Sequence, residues 1–352
     1  MSAVNTMPVA RCWTLAHRPE GRPVAPDDFA LAERPLPPLE EGQILARTAY
    51  LSVAPVMRLY MLNATPIEPP LALGDVMHGR GVGTVLASRH PQFVPGDVVQ
   101  GRFGWRDHAI LSGDAAALTF KVRQRVAPIS TALGPLGMTG WTAYVGLSRI
   151  GALKPGDTVV ISGAAGGVGS IAGPVAANLG APAIGIAGTD EKCQLLVERL
   201  GYCAAINYRT QDVTAELKRL CPQGIDLMFD NVGGPILDAA LANLARYARV
   251  VLCGRISQYL LGAEETYALR HWGELGRNRA RMEAFFIYDH ADLFSEAEDR
   301  MAQWIAAGTL PLAEDILDGL ERMPEALISL FEGTNTGKRL VRVDPEADRG
   351  WR

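Results

Sequence analysis

The residues with the most chemistry to offer lie where an apolar run, TVVIS (158–162), enters the glycine-rich stretch GAAGGVGS (163–170). Gly163, Gly166 and Gly169 fall at every third position. Glycine permits a tight turn and lets the backbone approach a pyrophosphate. A helix starting at once behind it offers free N–H groups and the positive end of its dipole. The spacing departs from a strict GxGxxG, but the strand–loop–helix setting and four further strand–helix pairs behind it point to a dinucleotide loop, with Gly163, Gly166, Gly167, Val168 and Gly169 against the phosphates. The competing reading is a helix-packing glycine cluster in another α/β protein. About 20 residues on, a NAD site would place an acid on the ribose 2′-OH. Here the second strand ends AGTDEK (187–192): Asp190 is near that position, but Gly188 and Thr189 intervene and Lys192 follows. Lys192, with Tyr208 and Arg209 after the third strand, could cage a 2′-phosphate by charge and hydrogen bonds. That favours NADPH, against a solvated lysine in a first helical turn and an aromatic packed on that helix.

Metal chemistry finds no ligand set. Cys12, Cys193, Cys203, Cys221 and Cys253 are odd in number, scattered, and form no CxxC pair. A disulfide framework or zinc knuckle is therefore not expected. His78 stands alone in VMHGRGVG, and His17, His90, His108, His271 and His290 have no Cys or His at ligand spacing. No metal is expected.

The elements that must position these residues divide the chain. Up to about residue 130, short apolar runs (43–51, 81–87, 97–99) alternate with turn signals such as Pro37-Pro38, Glu41-Gly42 and Pro95-Gly96-Asp97, which predicts a β-rich, barrel-like domain. Beyond it, apolar strand candidates (158–162, 183–187, 204–207, 226–229, 249–253) alternate with helical patterns (168–179, 191–200, 213–220, 235–244). That alternation predicts a doubly wound parallel sheet covered by helices. A further strand is expected at 283–288 and a helix at 293–307. From residue 312 short strands return around a helix at 324–331. The expected organisation is a β-rich domain over 1–129, a nucleotide-binding domain over 130–311, and a return over 312–352 that completes the first.

Composition narrows the function classes. The 352 residues carry 34 basic and 38 acidic side chains, a net charge of −4, with 48% hydrophobic residues. Two domains are expected at this length. The acidic balance argues against a protein that coats nucleic acid. The longest apolar stretches, such as 171–179, fall far short of the roughly 20 residues a bilayer helix needs, so no membrane partner is expected. The opening MSAVNTMPVARCW lacks the order of a secretory signal. A soluble, cytoplasmic protein is expected.

Taken together, these runs resemble the zinc-independent branch of the medium-chain dehydrogenase/reductase superfamily, which contains prostaglandin reductases, plant alkenal double-bond reductases and bacterial curcumin reductase. The resemblance spans nearly the whole chain: YLSVAPVMR (50–58), GMTGWTAYVGL (137–147), the glycine loop, GTDEK (188–192), NYR (207–209), FDNVGG (229–234), CGRISQY (253–259), RMEAFFIY (281–288) and EGTNTGKRLVRV (332–343). It implies a GroES-like catalytic domain split by a Rossmann domain, NADPH as cofactor, and reduction of the carbon–carbon double bond of α,β-unsaturated ketones or aldehydes. By the same resemblance Lys192 and Tyr208 contact the 2′-phosphate and Asn231 lies by the cofactor. Cys253, Gly254, Ile256, Ser257 and Tyr259 pass along the nicotinamide half, with Phe285, Phe286 and Ile287 beside them, and Asn335 reaches the cofactor from the other domain. Tyr259 faces the substrate carbonyl or the nicotinamide ribose, and Tyr50 lines the substrate pocket. The branch pairs Rossmann sheets edge to edge, so a homodimer through the 283–288 strand is implied. The usual DPYMR reads Ala54-Pro55-Val56-Met57-Arg58 here, which loses an acid and a tyrosine and leaves the substrate more open than the reaction type. Zinc members place GHE near His78; here the histidine is one residue out of register and Arg80 stands where the glutamate would be.

Without a Lewis acid a simple carbonyl is hard to polarise, whereas an enone accepts hydride at its β-carbon and spreads charge onto oxygen. A hydroxyl donor at that oxygen contributes on the order of 10²-fold, and Tyr259 is the candidate. A small apolar enone or enal is the expected substrate, and the α-carbon proton comes from a tyrosine or from water. Met57, Met138 and Trp141 line an apolar pocket or pack a core. Trp272, in the stretch 261–279, lies on a specificity loop or beside a solvated arginine face. A quinone oxidoreductase and a non-catalytic NADPH-binding protein are the alternatives.

Overall fold

The computed structural model describes residues 7–63, 70–114, 117–261, 263–349 and 351. The first six residues of the N-terminal run and residue 262 of the stretch 261–279 lie outside them. The chain begins with β1 (Val9–Leu15), β2 (Phe29–Pro35), β3 (Gln43–Ser52), a single turn α1 (Met57–Tyr60), β4 (Gly81–Ser88), β5 (Val98–Gly101), β6 (His108–Ser112) and β7 (Phe120–Lys121). Then follow α2 (Met138–Val145), β8 (Val159–Ser162), α3 (Gly169–Asn178), β9 (Ala183–Ala187), α4 (Asp190–Arg199), β10 (Ala204–Asn207), α5 (Val213–Leu220), β11 (Ile225–Asp230), α6 (Gly234–Leu241), β12 (Leu244–Leu252), α7 (Gly273–Asn278), β13 (Arg281–Ala284) and α8 (Phe294–Ala306). The last elements are β14 (Glu314–Asp318), α9 (Met323–Glu332) and β15 (Lys338–Arg342).

Two compact units result. The first comprises the described residues of 1–133, 315–334 and 339–352, and the second those of 134–314 with Asn335–Lys338. The C-terminal return expected over 312–352 is thus itself divided, residues 312–314 and Asn335–Lys338 belonging with the second unit.

In the first unit β3 pairs antiparallel with β4, β6 and β15, and β5 and β7 extend the sheet beyond β4. Leu51, Met57, Phe103 and Trp105 lie in one buried core, to which α9 contributes Met323, Ala326, Leu327 and Leu330. The returning segment therefore supplies apolar surface that the first 133 residues need. The pair β1–β2 has no counterpart among the expected runs. Most of β2 is exposed, so its sequence, FALAERP, carries no apolar run to read.

The second unit holds a six-stranded parallel sheet in the order β10-β9-β8-β11-β12-β13. Every residue of β8 and of β9 is buried, which is why these strands read as unbroken apolar runs rather than as alternation. The order reverses between β8 and β11, and in open α/β sheets ligands bind beyond the carboxyl ends of the strands at such a point. The strand expected at 283–288 is a correction. Pairing with Arg249–Leu252 runs over Arg281–Ala284, all four exposed at the sheet edge, and the more apolar Phe285–Tyr288 run has already left the sheet. Those aromatics pack on one another instead, Phe286 edge-on against Tyr288 with ring centroids 4.9 Å apart.

The start of α3 is fixed by Tyr202, whose hydroxyl donates to the Gly169 carbonyl at 2.6 Å while its ring lies over Gly173. A Cβ at Gly173 would stand 2.1 Å from that ring. Gly173→Ala is therefore expected to destabilise the chain by about 1–3 kcal/mol through overpacking, read as a lower urea midpoint. An unchanged midpoint would contradict this packing.

Candidate cofactor and active site

The carboxyl ends of the parallel strands build the site. At the end of β8 the chain turns through Gly163, whose φ of +58° is costly for a residue with a side chain. The loop is closed by Gly166 N–H donating to the Gly163 carbonyl at 3.0 Å and by Ser170 N–H donating to the Gly166 carbonyl at 2.9 Å. A Cβ on Gly169 would fall 2.3 Å from the Gly163 oxygen, so the helix can begin this close to the strand only with glycine there. Ser170, Ile171 and Ala172 N–H are taken by the Gly166 and Val168 carbonyls, so the donors that this helix start offers to phosphate oxygens are those just ahead of them, at Gly167, Val168 and Gly169.

Asp230, at the end of β11, is fully buried and ties three strand ends together. Its carboxylate accepts from the Ser162 hydroxyl at 2.6 Å and from the N–H groups of Val232 at 3.2 Å and Gly233 at 2.8 Å. Its carbonyl accepts from Cys253 and Gly254 N–H at 2.8 and 3.1 Å. Burial pushes its carboxyl above the usual range, and these donors oppose that. Asn231 extends the lacing, with its N–H to the Ser162 hydroxyl at 2.9 Å and its side-chain amide to the Ser162 carbonyl at 2.8 Å. Beyond β12, Ile256 N–H donates to the Asn231 carbonyl and Ser257 N–H to that of Val232. Asn231, Cys253, Gly254, Ile256 and Ser257 are thereby brought to one edge.

Tyr259 follows the short turn Ile256–Gln258 and is half-buried, its N–H donating to the Ile256 carbonyl at 3.3 Å. Desolvation raises its phenol, so it remains a donor at neutral pH. The Cys253 thiol is pushed up to about 12, chiefly by burial and further by the Asp230 charge, and is no nucleophile at neutral pH. Phe285 reaches back to Gly146, where a Cβ would stand 3.0 Å from its ring, Phe286 is exposed, and Ile287 opens the turn behind them.

At the other end of the edge, Thr189 caps α4 by accepting from Lys192 N–H at 3.3 Å. The Asp190 carboxylate, which an NAD site would turn to the ribose, accepts instead from the Asn207 amide at 2.7 Å. Tyr208 N–H donates to the Ala187 carbonyl at 3.0 Å, and its ring lies against Gly188, yet 42% of the residue is exposed. The Arg209 guanidinium stands 5.9 Å from that ring's centroid. An exposed tyrosine with a guanidinium near its ring, beside an acid already engaged by Asn207, fits a nucleotide bearing a 2′-phosphate.

Sequence reasoning missed Lys338. Its segment docks on the glycine loop through Gly337 N–H to the Ala165 carbonyl at 2.7 Å, and Asn335, itself buried, donates to the Gly337 carbonyl at 2.9 Å. The Lys338 stem runs so close to Gly167 that a Cβ there would stand 3.1 Å from its Cδ. GTNTGK looked like a turn before a strand, and nothing in it marks a buried amine.

In the first unit Tyr50 is a correction. It is 1% exposed, packs with Ile129, Leu133, Leu340 and Trp351, and its hydroxyl donates to Asp348 at 2.6 Å and accepts from Arg342 at 3.1 Å. A hydroxyl committed to both partners inside a core is structural, so no pocket-lining role is retained for it. Met57 is buried in the core of its unit, and Trp141 stacks on Phe294 with centroids 4.4 Å apart. Trp272 is 67% exposed. The His78 ring sits edge-on to Tyr60 at 5.6 Å. Among the described residues no three His, Cys, Asp or Glu side chains are grouped to hold a metal, and no helix is long and apolar enough to cross a membrane.

Burial lowers Lys338 from 10.5 to about 7, more than the Glu314 charge restores. Between those values the unfolded chain binds the proton that the folded chain has released, so folded stability gains with rising pH. The stability of the protein relative to Lys338→Met is therefore expected to rise between pH ~7 and ~10 and to be flat below it. Urea midpoints across that range check this, and a constant difference would contradict it.

Two family models match the chain. An N-terminal domain of oxidoreductases matches residues 11–119, and a domain described as a zinc-binding dehydrogenase matches residues 167–306. The NADPH-dependent curcumin reductase of Escherichia coli (strain K12) is 38% identical over 95% of this chain and 96% of its own. The NADP(+)-dependent 2-alkenal reductase of Nicotiana tabacum is 39% identical over 88% and 90%. The crystal structure of CurA in complex with NADPH from Vibrio vulnificus superposes with a TM-score of 0.88 at 38% identity, covering 95% of this chain and 99% of that one. With its GroES-like β-rich unit and Rossmann sheet, the chain belongs to the zinc-independent branch of the medium-chain dehydrogenase/reductases that includes the curcumin, alkenal and prostaglandin reductases.

Proposed function

We propose that this protein is an NADPH-dependent reductase of the carbon–carbon double bond of small, apolar α,β-unsaturated ketones and aldehydes. One observation carries the reading: a half-buried, protonated Tyr259 stands one turn beyond the lacing of Asp230 with Cys253 and Gly254. The naming of its relatives as NADPH-dependent curcumin reductase and 2-alkenal reductase supports the cofactor and the reaction class.

Bound NADPH supplies the hydride. The chain's own residues bind, orient and stabilise. Lys192, Tyr208 and Arg209 hold the 2′-phosphate, and Gly163, Gly166, Gly167, Val168 and Gly169 give the pyrophosphate backbone donors and the end of the α3 dipole. Asn231, Cys253, Gly254, Ile256, Ser257, Phe285, Phe286, Ile287 and Asn335 shape the place of the nicotinamide half. Tyr259 donates a hydrogen bond to the substrate oxygen, where negative charge develops as the β-carbon is reduced. Because its phenol titrates above the ordinary range, this donor persists through neutral and mildly alkaline pH and is lost only beyond it. The α-carbon then takes its proton from water or a tyrosine. A quinone substrate and a purely binding role remain the competing functions; a bare binder has no need of a donor at the Tyr259 position.

Loss of NADPH absorbance with a panel of enones, enals and quinones tests this. Tyr259→Phe is expected to lower kcat on enones by about 10²-fold while leaving the dissociation constant of NADPH within about twofold. Lys192→Ala is expected to weaken NADPH at least tenfold and leave NADH unchanged, since one charge-assisted phosphate contact contributes about 1.5–3 kcal/mol. Turnover of quinones alone, or an unimpaired Tyr259→Phe enzyme, would contradict the reading.

The exposed edge strand β13 suits pairing with the β13 of a second copy. We propose a homodimer, and its five free cysteines suit the reducing cytoplasm. Sedimentation is expected to give twice the chain mass, and a monomer at micromolar concentration would contradict it.

A further inference from the structure

Asp238 lies inside α6, away from the edge that binds the nucleotide, and is only 4% exposed between the equally buried Leu237 and Ala239. A carboxylate at such a position is costly unless its oxygens are satisfied. All its partners come from one stretch. Oδ1 accepts from the backbone N–H groups of Arg270 at 2.8 Å and His271 at 2.9 Å. Oδ2 accepts from the Tyr267 hydroxyl at 3.1 Å and lies 3.1 Å from His271 Nδ1. Burial pushes the carboxyl upward, but these donors together hold it below the usual range. The stretch is irregular, so its N–H groups have no ladder of their own, and Asp238 is the acceptor that fixes them.

The same stretch is tied at a second point. Tyr267 N–H donates to the Gln258 side-chain carbonyl at 2.8 Å, and the Gln258 amide donates to the Ser257 hydroxyl at 2.8 Å. That hydroxyl donates to the Val232 carbonyl at 2.7 Å. A Cβ at Gly234, the first residue of α6, would stand 2.8 Å from Gln258 Nε2, so the side chain is seated against the helix start. The bonds therefore form a closed circuit from α6 through Asp238, Tyr267 and Gln258 back to the entry of α6. Tyr259 follows Gln258 directly along the chain.

We propose that Asp238 is a positioning residue for the Tyr259 hydroxyl: by fixing Tyr267 it fixes Gln258, and with it the turn that delivers Tyr259. The inference rests on the reading of Tyr259 as donor to the substrate oxygen. The lever is distance, since a catalytic group displaced by about 1 Å can lose up to 10²-fold in rate.

A double-mutant cycle on the full-length enzyme tests it. Asp238→Asn and Tyr267→Phe are made alone and together with Tyr259→Phe, and kcat on an enone, NADPH affinity by fluorescence titration and the unfolding midpoint are measured for each. Asp238→Asn is expected to lower kcat about tenfold, Tyr267→Phe by less, with NADPH affinity within twofold in both. Neither is expected to lower kcat further once Tyr259 is phenylalanine. If Asp238→Asn does not fold, Tyr267→Phe, which removes one hydroxyl, carries the same comparison. An equal loss in both backgrounds, or none in the single variants, would overturn the role of Asp238 and leave Tyr259 standing. A fully active Tyr259→Phe enzyme would overturn both.

Discussion

A buried carboxylate governs the geometry of the second unit. Placing Asp230 at the centre of a parallel sheet would cost several kcal/mol were its oxygens unpaired, so the chain around it is arranged to supply donors. Ser162 at the end of β8, the Val232 and Gly233 N–H groups of the following turn, and Cys253 and Gly254 beyond β12 all point at this one residue. The turn can aim two N–H groups back at the carboxylate because Gly233 and Gly234 take φ values of +72° and +60°. These bonds set the edge of the sheet to hydrogen-bond accuracy, which is what hydride transfer over a short distance requires.

From that edge the remaining features follow in order. Gly163 begins the glycine loop directly beside Asn231, with Cβ-equivalent contacts of 3.3–3.4 Å to Val232 and Asn231. The clasp of Asn335–Lys338 closes over the loop from behind. Asp238 repeats the device one helix away, a second buried carboxylate collecting the donors of an irregular stretch. The unit therefore uses two acids as organisers of backbone, and neither needs to touch substrate to matter.

The parallel sheet was legible because strands buried on both faces leave continuous apolar runs, and the glycine turn because the positive φ of Gly163 and the close approach of Gly169 to its carbonyl both exclude a side chain. What escaped reading depends on partners far along the chain. Tyr50 sits in a run that looks like a pocket wall, and only Asp348 and Arg342, almost 300 residues later, make it a core residue. Lys338 looks like an ordinary basic residue before a strand until Gly167 and Glu314 enclose it. The edge strand was placed two residues late because Phe285–Ile287 is more apolar than Arg281–Ala284, yet an edge strand needs pairing rather than burial. The substrate is the least legible part: Ala54 and Val56 replace the acid and tyrosine that the branch usually carries, and they change the character of the segment without changing the nucleotide edge.

The central claim is that reduction occurs at the carbon–carbon double bond. NADPH labelled with deuterium at the transferred position of the nicotinamide, turned over with an α,β-unsaturated ketone, tests it directly by NMR of the product. The account predicts deuterium on the β-carbon and a solvent-derived proton on the α-carbon, with the carbonyl intact. Deuterium on the carbonyl carbon of an unsaturated alcohol, or no label in any organic product, would contradict it.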